Sequence, residues 1–245
     1  MSKTEYGTRF QEFIKDDSLR SAERVVPLLM SLIQPASVVD IGCGTGAWLS
    51  VFHKRGVGRI RGIDGDYVDR KSLLIPEDRF LGRDITRPLD LGERFDLVLS
   101  VEVAEHIAAH QSDDYLDNLT SLGDVIAFSA AIPNQGGIGH INEQWPDYWK
   151  GRFETRGYVL VDCLRRRIWD DRSVERWYRQ NLLLYVKRPI LDVNESLRRE
   201  YEENRHQILA IVHPETFFPL SFPQLVKSVP PSLQRAFRRV TRRPR

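Results

Sequence analysis

The chain of 245 residues carries 36 Lys and Arg against 34 Asp and Glu, for a net charge of +2, with 41% hydrophobic and 29% charged residues. That balance is the composition of a soluble globular protein, and no apolar run approaches the length of a membrane span. The length suits one catalytic α/β core plus an appendage.

The N-terminus, MSKTEYGTRFQEFIKDD, lacks the apolar stretch of a secretory signal. Cys43 sits in a glycine-rich turn and Cys163 in a predicted strand, so a disulfide framework is not expected. Both features point to a reducing cytoplasm. Positive charge is local: the last fourteen residues, SLQRAFRRVTRRPR, hold six arginines and no acid, and without them the +2 becomes −4. An enzyme of nucleic acid more often spreads its positive charge around the active site.

Residues 8 to 34 show helical periodicity in two segments, with Phe10, Phe13 and Ile14 in one and Val25, Val26, Leu28, Leu29, Leu32 and Ile33 in the next, ended by Pro35. Strand and helix patterns then alternate from Val38 to about Pro133, which predicts parallel strands with ligands at their carboxyl ends. Val38 to Ile41 reads as the first strand and opens on Gly42-Cys43-Gly44-Thr45-Gly46. Glycines there admit backbone conformations closed to other residues and let a bulky ligand approach the main chain. Asp40, at the strand end, can take a cationic or hydroxyl-bearing part of that ligand.

Arg59 to Ile63 is the second strand, ending in Asp64 and Gly65; Phe80 to Ile85 is the third, closing on Asp84; Phe95 to Ser100 is the fourth. Val125 to Ile132 makes the fifth, followed by the polar, glycine-rich loop 133 to 142. Trp145 to Arg156 reads as a helix, Tyr158 to Leu164 and Leu182 to Lys187 as two more strands, and Ile168 to Asn181 is rich in tryptophan, tyrosine and arginine. Asn194 to about Val212 is predicted helical, ahead of HPETFFPLSFP and the arginine tail.

Gly42-x-Gly44-x-x-Ala47 formally satisfies the dinucleotide fingerprint, and Tyr67-x-x-x-Lys71 has the spacing of a short-chain reductase. That pair follows the second strand, however, near the adenosine end of a cofactor. The fuller string, Asp40-x-Gly42-x-Gly44-x-Gly46, resembles motif I of the class I S-adenosylmethionine-dependent methyltransferases, and FDLVLSVEVAEHI is similar to the fourth-strand segment of small-molecule O-methyltransferases. The resemblance spans roughly residues 38 to 133. It implies a Rossmann-like seven-stranded sheet whose last two strands pair antiparallel. It divides the chain into an N-terminal helical cap (1–37), a core (38–190) and a C-terminal helical and arginine-rich extension (191–245). It also implies S-adenosylmethionine as cofactor and S-adenosylhomocysteine as product. The contacts would come from Asp40, Gly42, Cys43, Gly44, Gly46, Asp64, Gly65, Asp84, Ile85 and Ser100, with Asp64 on the ribose hydroxyls and Asp84 at the adenine amino group.

Methyl transfer from a sulfonium needs an aligned acceptor and a group that removes its proton. Glu102, Glu105 and His106 are spaced to share one face of a helix following the fourth strand, and His140 lies on the loop after the fifth. His140, or else His106, can serve as general base. Alternatively Glu102, Glu105, His106 and His140 hold Mg²⁺ or another divalent metal that lowers the hydroxyl's pKa. Similar Glu-x-x-Glu-His segments ligate a metal in ubiquinone-pathway and small-RNA 2′-O-methyltransferases.

Asn142, Glu143, Gln144, Trp145, Tyr148 and Trp149 lie beside the expected acceptor pocket; amides with aromatic platforms suit a sugar, although Trp145 and Trp149 also fit the buried stripe of a helix. The segment resembles bacterial glycan methyltransferases. The acceptor expected is therefore a sugar or glycan hydroxyl, lipid-linked if the tail with Leu233, Phe237 and Val240 rests on the inner face of a membrane. RNA, a quinone-type small molecule and a noncatalytic cofactor-binding role are the alternatives.

Overall fold

The computed structural model describes the backbone of residues 3–217 and the side chains of residues 16–215. The arginine-rich tail, with Leu233, Phe237 and Val240, lies outside the described residues, as do the side chains of Phe10, Phe13 and Ile14. Seven strands form one sheet: β1 (Ser37–Ile41), β2 (Arg59–Asp64), β3 (Phe80–Gly82), β4 (Leu97–Val101), β5 (Val125–Ser129), β6 (Tyr158–Val161) and β7 (Leu183–Lys187). Their spatial order is β3-β2-β1-β4-β5-β7-β6. Only β7 runs against its neighbours, pairing antiparallel with both β5 and β6. This is the Rossmann-like fold expected, and the order reverses between β1 and β4.

The strands read as unbroken apolar runs because both faces of the sheet are covered. Side chains alternate between them: Val38, Leu97, Leu99, Val125 and Ala127 enter one core, Val39, Val98, Ile126 and Phe128 the other. The first core is roofed by α1 (Lys3–Ile33) and α2 (Ala47–Lys54), the second by α3 (Ser112–Leu122) and α4 (Pro146–Glu154). α1 is one helix rather than two segments, with Pro27 accommodated inside it. Between β6 and β7 lie α5 (Arg165–Ile168) and α6 (Arg176–Asn181); α7 (Arg188–Val193) and α8 (Glu195–Asn204) follow, and α9 (Pro214–Phe217) ends the described chain. Among the described residues no helix is long and apolar enough to cross a membrane.

Several elements are shorter than their patterns suggest. β3 stops at Gly82 because Asp84 turns the chain, accepting from the Thr86 amide at 3.0 Å. The helix expected to reach Val212 ends at Asn204, beyond which other groups take up the backbone. The Arg165 guanidinium donates to the Leu209 carbonyl (3.1 Å), and the Gln180 side chain donates to the Ile211 carbonyl (2.8 Å).

That strap depends on a buried ion pair. Arg165 and Asp162 are 1% and 3% exposed, and the guanidinium grips both carboxylate oxygens, its Nε at 3.0 and 3.1 Å. Removing one partner strands the other charge in the core. Asp162→Ala should lower stability by about 3–5 kcal/mol in urea unfolding, whereas the double change Asp162→Leu with Arg165→Met should cost far less. Equal losses would show that the pair is stabilising in its own right.

Candidate active site

The turn after β1 passes through Gly42, Gly44 and Gly46 with φ of 82°, 53° and 81°, all left-handed. Gly42 is constrained from both sides. Its φ excludes most residues, and a Cβ there would lie 2.5 Å from the Val103 side chain after β4. At Gly44 a Cβ would meet nothing within 4 Å, so the middle of the turn is open. Cys43 is buried beneath it, its thiol pushed well above the usual range by burial.

Asp40 is 3% exposed, and burial, then the negative charge of Asp64, pushes it up to about 7. The Asp64 carboxylate accepts from the Gly44 amide (2.7 Å), the Gly65 amide (2.6 Å) and the Tyr67 hydroxyl (2.5 Å). The Tyr67 ring lies directly on Gly65, where a Cβ would stand 2.2 Å from it. Asp84 is exposed and held below the usual range by the Thr86 hydroxyl and amide; Ile85 beside it is half-buried. Ser100 is fully buried, and its hydroxyl pairs with that of Tyr115 at 2.8 Å.

The helix expected after β4 is instead a tight turn. Glu102 adopts φ 55°, and a single 3₁₀ turn covers Ala104–His106. The two glutamates and His106 therefore do not line one helical face. Glu102 points toward β5 and β7, its two oxygens accepting from Gln135 Nε2 and Asn181 Nδ2, each at 3.0 Å. Glu105 is 0% exposed, and neither of its carboxylate oxygens has a hydrogen-bond partner among the described residues. Burial, then the charge of Glu102, drives it well above the usual carboxylate range.

His106 and His140 meet edge to face, their ring centroids 5.0 Å apart. His106 Nδ1 lies 3.2 Å from the Gly139 carbonyl and His140 Nδ1 lies 2.9 Å from Glu143 Oε1. Both partners can only accept when Glu143 is ionised, so each Nδ1 carries the hydrogen and each Nε2 keeps its lone pair. Partial burial lowers the His106 pKa. Of the four expected ligands, three converge: one donor atom each from Glu105, His106 and His140 lie within 4.8 Å of one another, with Glu102 outside that group.

Glu143 does more than orient His140. It also accepts from the Asn134 and Gly136 amides, both at 2.8 Å, while the Glu105 carbonyl accepts from the amides of Ile141 and Asn142. The acceptor-side loop is thus pinned at both ends. Asn142 donates to the Ser112 hydroxyl and accepts from the Gln144 amide, and Trp149 is buried. Trp145, by contrast, precedes α4 and is 41% exposed, so the two tryptophans do not form one buried stripe; Ile138 and Ile141 are exposed with it.

Glu143 stands three residues after His140, a spacing visible in the sequence. Tyr67 likewise stands three residues after Asp64; Gln135 and Asn181 carried no such signal, since they reach Glu102 across 33 and 79 positions.

Residues 10–127 match the family described as a methyltransferase domain. Among curated proteins the chain is similar to the ubiquinone biosynthesis O-methyltransferase of Rhodopseudomonas palustris (strain BisB18), 29% identical over 147 residues, covering 56% of this chain and 51% of that protein. It is also similar to the protein of that name from Bradyrhizobium sp. (strain ORS 278), 26% identical over 184 residues, covering 66% and 67%. The chain spans about half the length of most of the curated relatives it matches. Among solved structures, Streptomyces venezuelae DesVI aligns with a TM-score of 0.57 at 14% identity, covering 76% of this chain and 98% of that one. An O-methyltransferase family protein from Burkholderia thailandensis aligns with a TM-score of 0.50 at 15% identity, covering 74% and 60%. With a methyltransferase-domain model matching residues 10–127, a glycine turn at the strand-order reversal and an antiparallel β7, the chain has the Rossmann-like seven-stranded fold of the class I methyltransferases.

Proposed function

We propose that the protein transfers the methyl group of S-adenosylmethionine to a hydroxyl oxygen, with His140 taking the proton. The observation that carries this reading is the pair of imidazoles whose Nδ1 hydrogens are both engaged, leaving Nε2 lone pairs near the carboxyl edge of β4 and β5. The acceptor oxygen attacks the methyl carbon, the carbon–sulfur bond breaks to release S-adenosylhomocysteine, and the hydroxyl proton passes to His140 Nε2. Glu143 holds the ring and stabilises the imidazolium that forms. The cofactor occupies the glycine turn, its cationic amino-acid end toward Asp40 and its ribose on Asp64, while Asp84 faces the adenine.

The orphaned carboxylate of Glu105 favours a second role for the same cluster. Glu105, His106 and His140 offer a hard oxygen and two imidazole nitrogens at a spacing that fits a divalent cation, with Glu102 beside them. When bound, such an ion would lower the acceptor hydroxyl's pKa.

For the acceptor, a hydroxyl on an apolar, quinone-type phenol fits better than a bare sugar. The amides expected to grip a sugar are spent within the protein, while Ile138, Ile141 and Trp145 face solvent on the loop that carries His140. The names of the curated relatives agree with that class. A lipid-linked glycan is the competing acceptor, and labelled methyl transfer to quinone precursors, lipid-linked glycans, sugar nucleotides and RNA compares them directly.

His140→Ala should reduce turnover by about 10²-fold or more while calorimetry shows unchanged binding of S-adenosylhomocysteine; wild-type turnover would remove His140 from the chemistry. Ionised Asp40 attracts a cation, and its pKa of about 7 means that affinity for S-adenosylmethionine should rise with pH up to about 7 and then level off. Asp40→Asn should bind more weakly and with no such rise. Tyr67→Phe removes one of the two donors on Asp64 Oδ1 and leaves the Gly65 amide as the other, so an acceptor site opens for the ribose; adenosine should bind about threefold tighter or more, and 2′,3′-dideoxyadenosine should gain nothing.

A further inference from the structure

Behind the acceptor-side loop, between the end of β5 and the start of β7, lies a cavity of about 10 Å³, the room needed by the centre of a single water molecule. Phe128, Ala130, Pro146 and Leu183 supply apolar walls, half-buried Gln144 lies at one side, and three buried residues, Trp149, Tyr185 and Asn181, complete the lining. Each has a buried polar atom with no hydrogen-bond partner among the described residues: Trp149 Nε1, Tyr185 OH and Asn181 Oδ1. Buried polar atoms in folded proteins are nearly always paired. Three orphans around one water-sized space therefore share a single explanation.

The orientation of Asn181 makes the set chemically complete. Its Nδ2 lies 3.0 Å from Glu102 Oε1 and 2.8 Å from Gln135 Oε1, both acceptors, so that end must be the amide nitrogen and Oδ1 must face the cavity. Neither aromatic ring can turn to find another partner. Tyr185 is stacked on Phe153 with centroids 3.9 Å apart, and Trp149 is wedged between Phe128 and Tyr148.

We infer that the cavity binds one water, which accepts from Trp149 Nε1–H and the Tyr185 hydroxyl and donates to Asn181 Oδ1. Trp149 and Tyr185 are then positioning residues. Through the water they fix the Asn181 amide, and Asn181 in turn holds the Glu102 carboxylate beside Glu105. The effect on turnover rests on the proton-accepting role proposed for the Glu105, His106 and His140 cluster; the water itself does not.

The test pairs high-resolution crystal structures of wild type and Tyr185→Phe with their steady-state kinetics. In the wild type, density for one water should lie within hydrogen-bond distance of all three atoms. Tyr185→Phe keeps the ring and removes the hydroxyl. It should lose or disorder that water and lower kcat by about threefold to tenfold while KM for S-adenosylmethionine stays unchanged. Trp149→Phe should split kcat from KM the same way. An empty cavity or a reversed Asn181 amide in the wild type overturns the proposal. If the water is present but both variants keep the wild-type kcat, the positioning role is overturned. If Glu102→Gln keeps the wild-type kcat, it is the catalytic reading of the cluster that falls, while the crystal structures still decide the water.

Discussion

The site is made possible by how closely the turns after β1 and β4 approach each other. Parallel pairing of Val38 to Asp40 with Leu97 to Leu99 brings the two strands out side by side where the sheet order reverses, and their connections leave in opposite directions. Gly42 and Val103 then touch so closely that no side chain fits at position 42. One contact thereby fixes the distance between the glycine turn, which would hold the cofactor, and the turn bearing Glu105 and His106. A larger residue at 42 would push apart the two halves of a reaction whose partners must meet at van der Waals distance.

Around that contact Asp40 and Glu105 are buried and Glu102 is half-buried, and each of the three carboxyl groups is treated differently. Asp40 has its neighbour Asp64 for company and is poised near neutrality. Glu102 is surrounded by donors from Gln135, Asn181 and the Ser129 hydroxyl near its own amide, which oppose the effect of burial. Neither Glu105 oxygen has a hydrogen bond among the described residues, and only the backbone at Glu105 and Ala131 opposes the effect of burial. A buried charge without a partner costs several kcal/mol, on the order that usually leads the group to take up a proton. A protonated Glu105 or a cation-bound one both satisfy that constraint, whereas a bare carboxylate does not.

The sheet was legible in the sequence because its strands are apolar runs punctuated by glycine and acid, and both faces are buried. Each strand was placed within a few residues. The errors fell at ends, where hydrogen bonds from side chains compete with the ladder, as Asp84 does after β3 and Arg165 and Gln180 do beyond α8. The spacing of Glu102, Glu105 and His106 marked them as a group but assumed a helix. Their true arrangement depends on a left-handed Glu102 and on Asn181, a partner that only the antiparallel return of β7 brings near. Periodicity reports which side of an element is buried, not who waits on the other side.

The loop after β5 shows how a polar segment can be rigid without a core of its own. Its amides have no sheet to join, so Glu143 gathers those of Asn134 and Gly136, and the Glu105 carbonyl gathers those of Ile141 and Asn142. The residue that orients the His140 ring is thus the one that shapes the loop presenting it, and the residue whose backbone anchors the loop's far end is the buried acid of the cluster. A change in the protonation or occupancy of Glu105 would act at the base of the segment that carries Ile138, Ile141 and Trp145. The cluster and the apolar loop surface are therefore joined through one short stretch of main chain, with His140 in its middle.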